Sequence, residues 1–162
     1  MTKTVTAATL GAWLVKCNPE TWDVERFLSD GHRVVHSWVV QYNYRSYMMA
    51  DGDSVVLWVT GSSKAAGVRG VGRVTGKANH KPPAGHEEEE TYWKQPSTSG
   101  LWVPVEIMLT EKVLPRQRVA THKALKDAEV FRAPQLGNPN FLDRAQWAAM
   151  EGVLQEAGVD KR

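Results

Sequence analysis

The strand pair in the middle of the chain constrains the fold most. "SVVLWVT", residues 54–60, is the strongest strand-forming run in the sequence, and "GSSKAAG" turns it into a second strand over residues 68–74. In that second strand Val68, Gly70, Gly72 and Val74 share one face, while Arg69, Val71 and Arg73 take the other. Glycines alternating along a strand mark a bend or a close backbone approach, as at the corner of a barrel. Further strands are expected from Ala12 to Val15, from Arg33 to Val40, and in "LWVPVEIML", where Val103, Val105, Ile107 and Leu109 share a face. The sum is an α+β chain whose strands curl into a small barrel-like sheet flanked by helices.

Helix signals fill the gaps between the strands. Asn18 is placed as an N-cap with Pro19 at the first helical position, Val24, Phe27 and Leu28 form one apolar stripe, and Gly31 ends the helix. Pro115 starts a short helix, and a second is expected from Thr121 to Asp127. Asp143 and Gln146 form a capping box for the last helix, with Leu142 stapled onto Trp147 and Trp147, Met150 and Leu154 as its core stripe. Residues 79–100 are polar, carry "EEEE", and read as a long loop. Neither a repeat nor a linker divides the chain, so one domain over 1–162 with a core of about 12–155 is expected.

Composition narrows the function classes. Cys17 is the only cysteine, which excludes an internal disulfide and a zinc site built on several cysteines. There is no charged-then-apolar leader and no apolar run of bilayer length, so a soluble cytoplasmic protein with no membrane partner is expected. A formal net charge of +2 confines any phosphate binding to local patches or a pocket. The glycines of "GVRGVGRVTG" do not make a dinucleotide fingerprint, and "GSSKAAG" is not a P-loop. His80, His86 and the acidic run lack metal-ligand spacing, and Cys17 with His32 or His36 lacks an oxyanion-hole motif. The residues support no catalytic role, no metal and no cofactor.

The order of motifs resembles the EVE domains, members of the PUA-like superfamily and relatives of the YTH domains. "WLVKCNP" is similar to the aromatic strand ending in Lys-x-x-Pro that opens the family pattern. "SWVVQYNYRSYMM" follows its tryptophan, Asn-Tyr loop and short helix, with the usual Val-Arg-Asn-Tyr core altered. "DGDSVVLWVTGSS", "GVRGVGRV", "LWVPVEIML" and "RAPQLGNPNFLDRAQW" continue the order through most of residues 12–155. The resemblance implies a pocket for an extruded, modified base: methylated adenine in RNA for the YTH relatives, modified bases including modified cytosine in DNA for EVE domains.

On that resemblance Lys16, Cys17 and Asn18 line the pocket, Trp38 is its first aromatic wall and Trp58 lies near the second. Flat walls stack a base, and a few fixed donors and acceptors read its edge. Asn18 either caps a helix or faces the ligand. Trp58 either faces the core or joins Trp38 in sandwiching the base. Tyr42, Asn43 and Tyr44 are loop residues, where exposed aromatics point to binding. Thr60 and Ser62 can bond a base edge, a phosphate or their own turn. Lys64, Arg69 and Arg73 are phosphate candidates, with Arg116, Arg118, Lys123 and Lys126 a second basic cluster. The leading reading is a non-catalytic reader of a modified base in DNA or RNA, either stand-alone or the recognition module of a larger nuclease or other effector chain. The alternatives are an enzyme acting on a nucleotide or small cyclic ligand in the same pocket, and a protein-interaction domain.

Overall fold

In the computed structural model, which describes residues 3–95 and 100–159, six strands form one mixed sheet. They are β1 (Leu10–Cys17), β2 (Val34–Val39), β3 (Ser54–Val59), β4 (Gly67–Val74), β5 (Trp102–Pro115) and β6 (Asn140–Asp143). Their order is β2-β5-β4-β3-β1-β6; β1 and β3 are parallel and every other pair is antiparallel. The helices are α1 (Val24–Ser29), α2 (Tyr44–Met48), α3 (Glu87–Glu90), α4 (Arg116–Ala120), α5 (Glu129–Arg132) and α6 (Arg144–Glu156).

The α+β architecture is as expected, but the sheet does not close into a barrel. β2 is an edge strand whose outward N–H groups find another partner: the Glu89 carboxylate accepts from the backbone N–H groups of His36 and Ser37. A side chain thus satisfies the edge that a closing strand would have paired. The expected close approach at the glycines of β4 is present. A Cβ on Gly72 would strike the Glu106 carbonyl of β5, so the two strands can lie this close only with glycine there.

Side-chain alternation gives the sheet two buried faces. Trp13, Val15, Cys17, Val55, Leu57 and Val59 point to one, where α1 and the aromatic residues Trp22, Trp38 and Tyr92 cover them. Leu14, Val56, Trp58 and Val68 point to the other, beneath Val119 of α4, Val130 of α5 and Met150, Val153 and Leu154 of α6. β1 and β3 are therefore apolar on both faces, as central strands must be.

Local readings failed where a large side chain had to be buried first. Residues 19–21 form turns, Trp22 bridges to Trp93, and α1 starts only at Val24, capped by the Asp23 carboxylate accepting from the Arg26 N–H at 3.2 Å. The turns insert Trp22 into the core, where its indole N–H donates to the Glu89 carbonyl at 3.1 Å. Asn18 is not the N-cap; its side-chain oxygen accepts from the Glu20 N–H at 3.0 Å. Residues 121–127 form turns instead of a helix, the helix lying at α5. The expected loop contains α3, and its residues 96–99 lie outside the described residues. The capping box of α6 is present, but Trp147 is half-buried and packs at the margin of its core. No helix among the described residues is long and apolar enough to cross a membrane.

Candidate nucleic-acid interface

The parallel strands β1 and β3 end side by side, with Cys17 opposite Val59, and this strand end carries Lys16, Cys17, Asn18 and Thr60 of the expected pocket. A single carboxamide organises it. Asn138 Oδ1 accepts from the Lys16 N–H at 2.7 Å and its Nδ2 donates to the Lys16 carbonyl at 3.1 Å, as a neighbouring strand residue would. The Lys16 carbonyl also accepts from the Trp38 indole N–H at 3.2 Å. The Asn138 carbonyl in turn accepts from the Gln41 N–H at 2.9 Å, which ties in the loop before α2.

The next two carbonyls are committed as well. That of Cys17 accepts from the Thr60 N–H at 2.9 Å, and that of Asn18 from the N–H groups of Thr21 and Trp22 at 2.9 and 3.0 Å. The backbone carbonyls of residues 16–18 therefore hold the strand end rigid and do not wait for a base edge. At the rim the Asn18 side chain is exposed, and the Thr60 hydroxyl donates to the Cys17 carbonyl at 3.4 Å. Burial pushes the Cys17 thiol up to about 12, and its Sγ sits 3.7 Å from the Trp22 carbonyl, inside the core. Such a thiol is inert packing.

Trp38 and Trp58 do not face one another. Both are 2% exposed, but Trp38 belongs to the α1 side of the sheet and Trp58 to the α6 side. Register explains the separation: Trp58 pairs with Lys16, so these two side chains share the face opposite Cys17. A base cannot be sandwiched between them. Trp58 meets the Phe131 ring at 5.5 Å. Lys16 turns its ammonium to the Pro134 carbonyl at 2.9 Å, and burial lowers its pKa.

Trp38 has a different aromatic partner. Its ring lies 6.0 Å from that of Trp93 at an interplanar angle of 40°, and it meets Trp22 edge-on at 5.3 Å. Trp93 is half-buried, so this aromatic group reaches the surface beside the Lys16–Asn18 strand end. The segment carrying Trp93 is fastened by Glu89, whose carboxylate also accepts from the Ser37 hydroxyl at 3.0 Å and lies 3.2 Å from His36 Nδ1. His86 Nδ1 adds a 3.0 Å bond to the same hydroxyl. The acidic run is therefore partly structural. Its burial raises the Glu89 pKa above the ordinary carboxylate value.

The remaining candidates divide. Tyr42 is 62% exposed, with Tyr47 at 5.5 Å and His80 at 5.4 Å between ring centres. Asn43 caps α2 through the N–H groups of Arg45 and Ser46, and the Tyr44 hydroxyl accepts from the Val5 N–H at 3.0 Å. Arg69 is mostly buried, with its side chain 12% exposed and 3.7 Å from Glu25; Arg73 forms a surface pair with Glu106 at 3.6 Å. Ser62 and Lys64 lie apart from the aromatic group, in a cleft with Arg116. No three His, Cys, Asp or Glu side chains among the described residues are grouped to hold a metal.

Sequence reasoning missed Trp93 and Asn138. An aromatic residue in a polar loop was a usable signal for Trp93. Asn138 sits in a turn-rich stretch, and nothing local marks it as the partner of Lys16.

The EVE domain family model matches residues 11–150. The chain belongs to the EVE domain family. None of the functionally curated proteins matches it. Among solved structures, this EVE domain is similar to a hypothetical protein from Leishmania major, with 18% identity, a TM-score of 0.63, and 92% of this chain and 97% of that one covered. A protein from Pseudomonas putida shows 20% identity and a TM-score of 0.59, with 88% and 99% covered. Human THYN1, solved in complex with 5-methylcytosine-containing DNA, shows 17% identity and a TM-score of 0.52, with 86% and 96% covered. These likenesses establish the PUA-like fold of the EVE domain.

Proposed function

We propose that this EVE domain is a non-catalytic reader of a modified base in nucleic acid, with 5-methylcytosine in DNA the favoured ligand. The observation that carries the reading is the Trp38–Trp93 group, which comes to the surface beside a strand end that Asn138 holds rigid. THYN1, of the same fold, was crystallised on DNA carrying that base. A planar base extruded from its stack needs an aromatic face and a few polar groups at its edge. Trp93 supplies the face with Trp38 behind it, Asn18 and Thr60 supply the edge, and Tyr42 stands at the rim. Trp58 supports the opposite face of the sheet instead of forming a second wall. Cys17 shapes the floor through the core and offers no nucleophile, which argues against an enzyme built on it.

The test is a titration of matched duplexes with and without 5-methylcytosine, read by tryptophan fluorescence, on wild type and on Trp93→Ala. Loss of one stacking contact weakens binding by about 1–3 kcal/mol. Trp93→Ala should bind more weakly and lose its preference for the modified base while staying folded. A folded Trp93→Ala protein with undiminished preference contradicts the assignment.

A further inference from the structure

We infer that the cleft between the 62–66 turn and the end of β5 is a binding site for the phosphodiester backbone of the nucleic acid. It is lined by Ser62, Ser63, Lys64, Ala66, Pro115, Arg116 and Gln117. The lining offers two cations, two hydroxyls and a carboxamide, and no carboxylate. That donor set suits a phosphate and repels no part of it.

Two features show that the cleft is constructed by the fold. Gly61 and Gly67 bracket the turn, both at positive φ (115° and 137°). A Cβ on Gly67 would strike the Leu114 carbonyl and come within 2.7 Å of the Arg116 nitrogen, so glycine there lets the turn press against the end of β5. The Arg116 N–H donates to the Ala66 carbonyl at 2.9 Å, which locks the two walls together. The Arg116 guanidinium is carried 5.5 Å over the Phe131 ring, and Phe131 in turn packs on the buried Trp58. Trp58 thus serves as the foundation of this second site.

Charge accounting separates these two cations from their neighbours. Arg69, Arg73, Arg118 and Lys126 each lie within 4 Å of a carboxylate, whereas no such pair involves Lys64 or Arg116 among the described residues. Both are exposed. The cleft lies at the same end of the sheet as the end of β1. Thr60, bonded to the Cys17 carbonyl, stands two residues before Ser62. A strand whose modified base enters beside Trp93 has its phosphates led past Thr60 to Lys64 and Arg116.

The inference rests on the proposed reading, and the experiment separates the two. The salt dependence of affinity is measured for Lys64→Ala, Lys64→Glu, Arg116→Ala and Lys64→Ala/Arg116→Ala, with Lys123→Ala as the control. Each variant is titrated with duplex DNA, with and without 5-methylcytosine, and with single-stranded RNA. Each lost phosphate contact should flatten the slope of log affinity against log salt by about 0.9 on duplex DNA and about 0.7 on a single strand. Modified and unmodified ligands should weaken by the same factor, with the preference between them and the melting temperature unchanged. Lys64→Glu, on an exposed turn, keeps the test valid if Arg116→Ala loosens Phe131. A folded double variant with wild-type slope and affinity overturns the cleft and leaves the base reading standing. A wild type that binds no oligonucleotide overturns both.

Discussion

Removing Trp38 tests whether the inner aromatic wall is ligand-facing or part of the core. The side chain is 2% exposed, packs edge-on against Trp22 at 5.3 Å and donates to the Lys16 carbonyl at 3.2 Å. Trp38→Ala empties a site that its neighbours, pinned by strand pairing, cannot refill, at a cost of about 3–5 kcal/mol. For a chain of this size each kcal/mol moves the melting temperature by about 2–4 °C, so a drop of about 6–20 °C is expected. Trp38→Phe keeps a six-membered ring in the site and loses the pyrrole part of the indole together with its N–H. Because Asn138 Nδ2 also serves the Lys16 carbonyl, that variant should lose far less, whereas adding Asn138→Ala leaves the carbonyl with neither donor. The double variant should then exceed the sum of the singles by about 1 kcal/mol. The assay is thermal melting by near-ultraviolet circular dichroism, with chemical denaturation for the cycle. A Trp38→Ala protein melting within about 2 °C of wild type would refute the packing argument.

Three further outcomes follow from the same geometry. Cys17, its thiol pushed up to about 12 inside the core, should resist alkylating reagents at pH 8 in the native protein and react once denaturant is added. Arg45 and Glu129 form a buried bidentate pair at 2.7 and 2.8 Å, so Arg45→Met should destabilise by about 3–5 kcal/mol through the unpaired carboxylate. Restoring neutrality with Glu129→Gln in the same chain should recover part of that loss. Glu89 has a raised pKa in the fold, so the folded state holds its proton more tightly than the unfolded chain. The stability contributed by that proton is full below the ordinary carboxylate pKa and is lost as pH rises through the raised value. The advantage of wild type over Glu89→Gln in denaturant titrations should therefore shrink as pH rises across that window; an advantage growing with pH contradicts the sign.

The strands were the legible part of this chain because their signals are local. Alternation placed β3, β4 and β5, and the paired glycines of β4 foretold the contact with the Glu106 carbonyl. The box at Asp143 and Gln146 was readable for the same reason. Failures came where a distant partner decided the outcome. Nothing in residues 16–18 reveals that Asn138 will close on Lys16, and nothing near β2 reveals that Glu89 will cover its edge. The Trp38–Trp58 sandwich failed on parity: each residue looked right along its own strand, but register set them on opposite faces. The two basic clusters are separate in sequence, yet the turn at Gly67 brings Lys64 and Arg116 to one cleft.

Competition between two otherwise identical DNA duplexes, one carrying 5-methylcytosine and one cytosine, for the wild-type protein at a single salt concentration reads the base preference itself. A methyl group received by an apolar pocket is worth about 1–3 kcal/mol, or about 10–200-fold. With the aromatic group at Trp38 and Trp93 receiving the base, the methylated duplex should be preferred by about tenfold or more. Equal affinity for the two duplexes would contradict it.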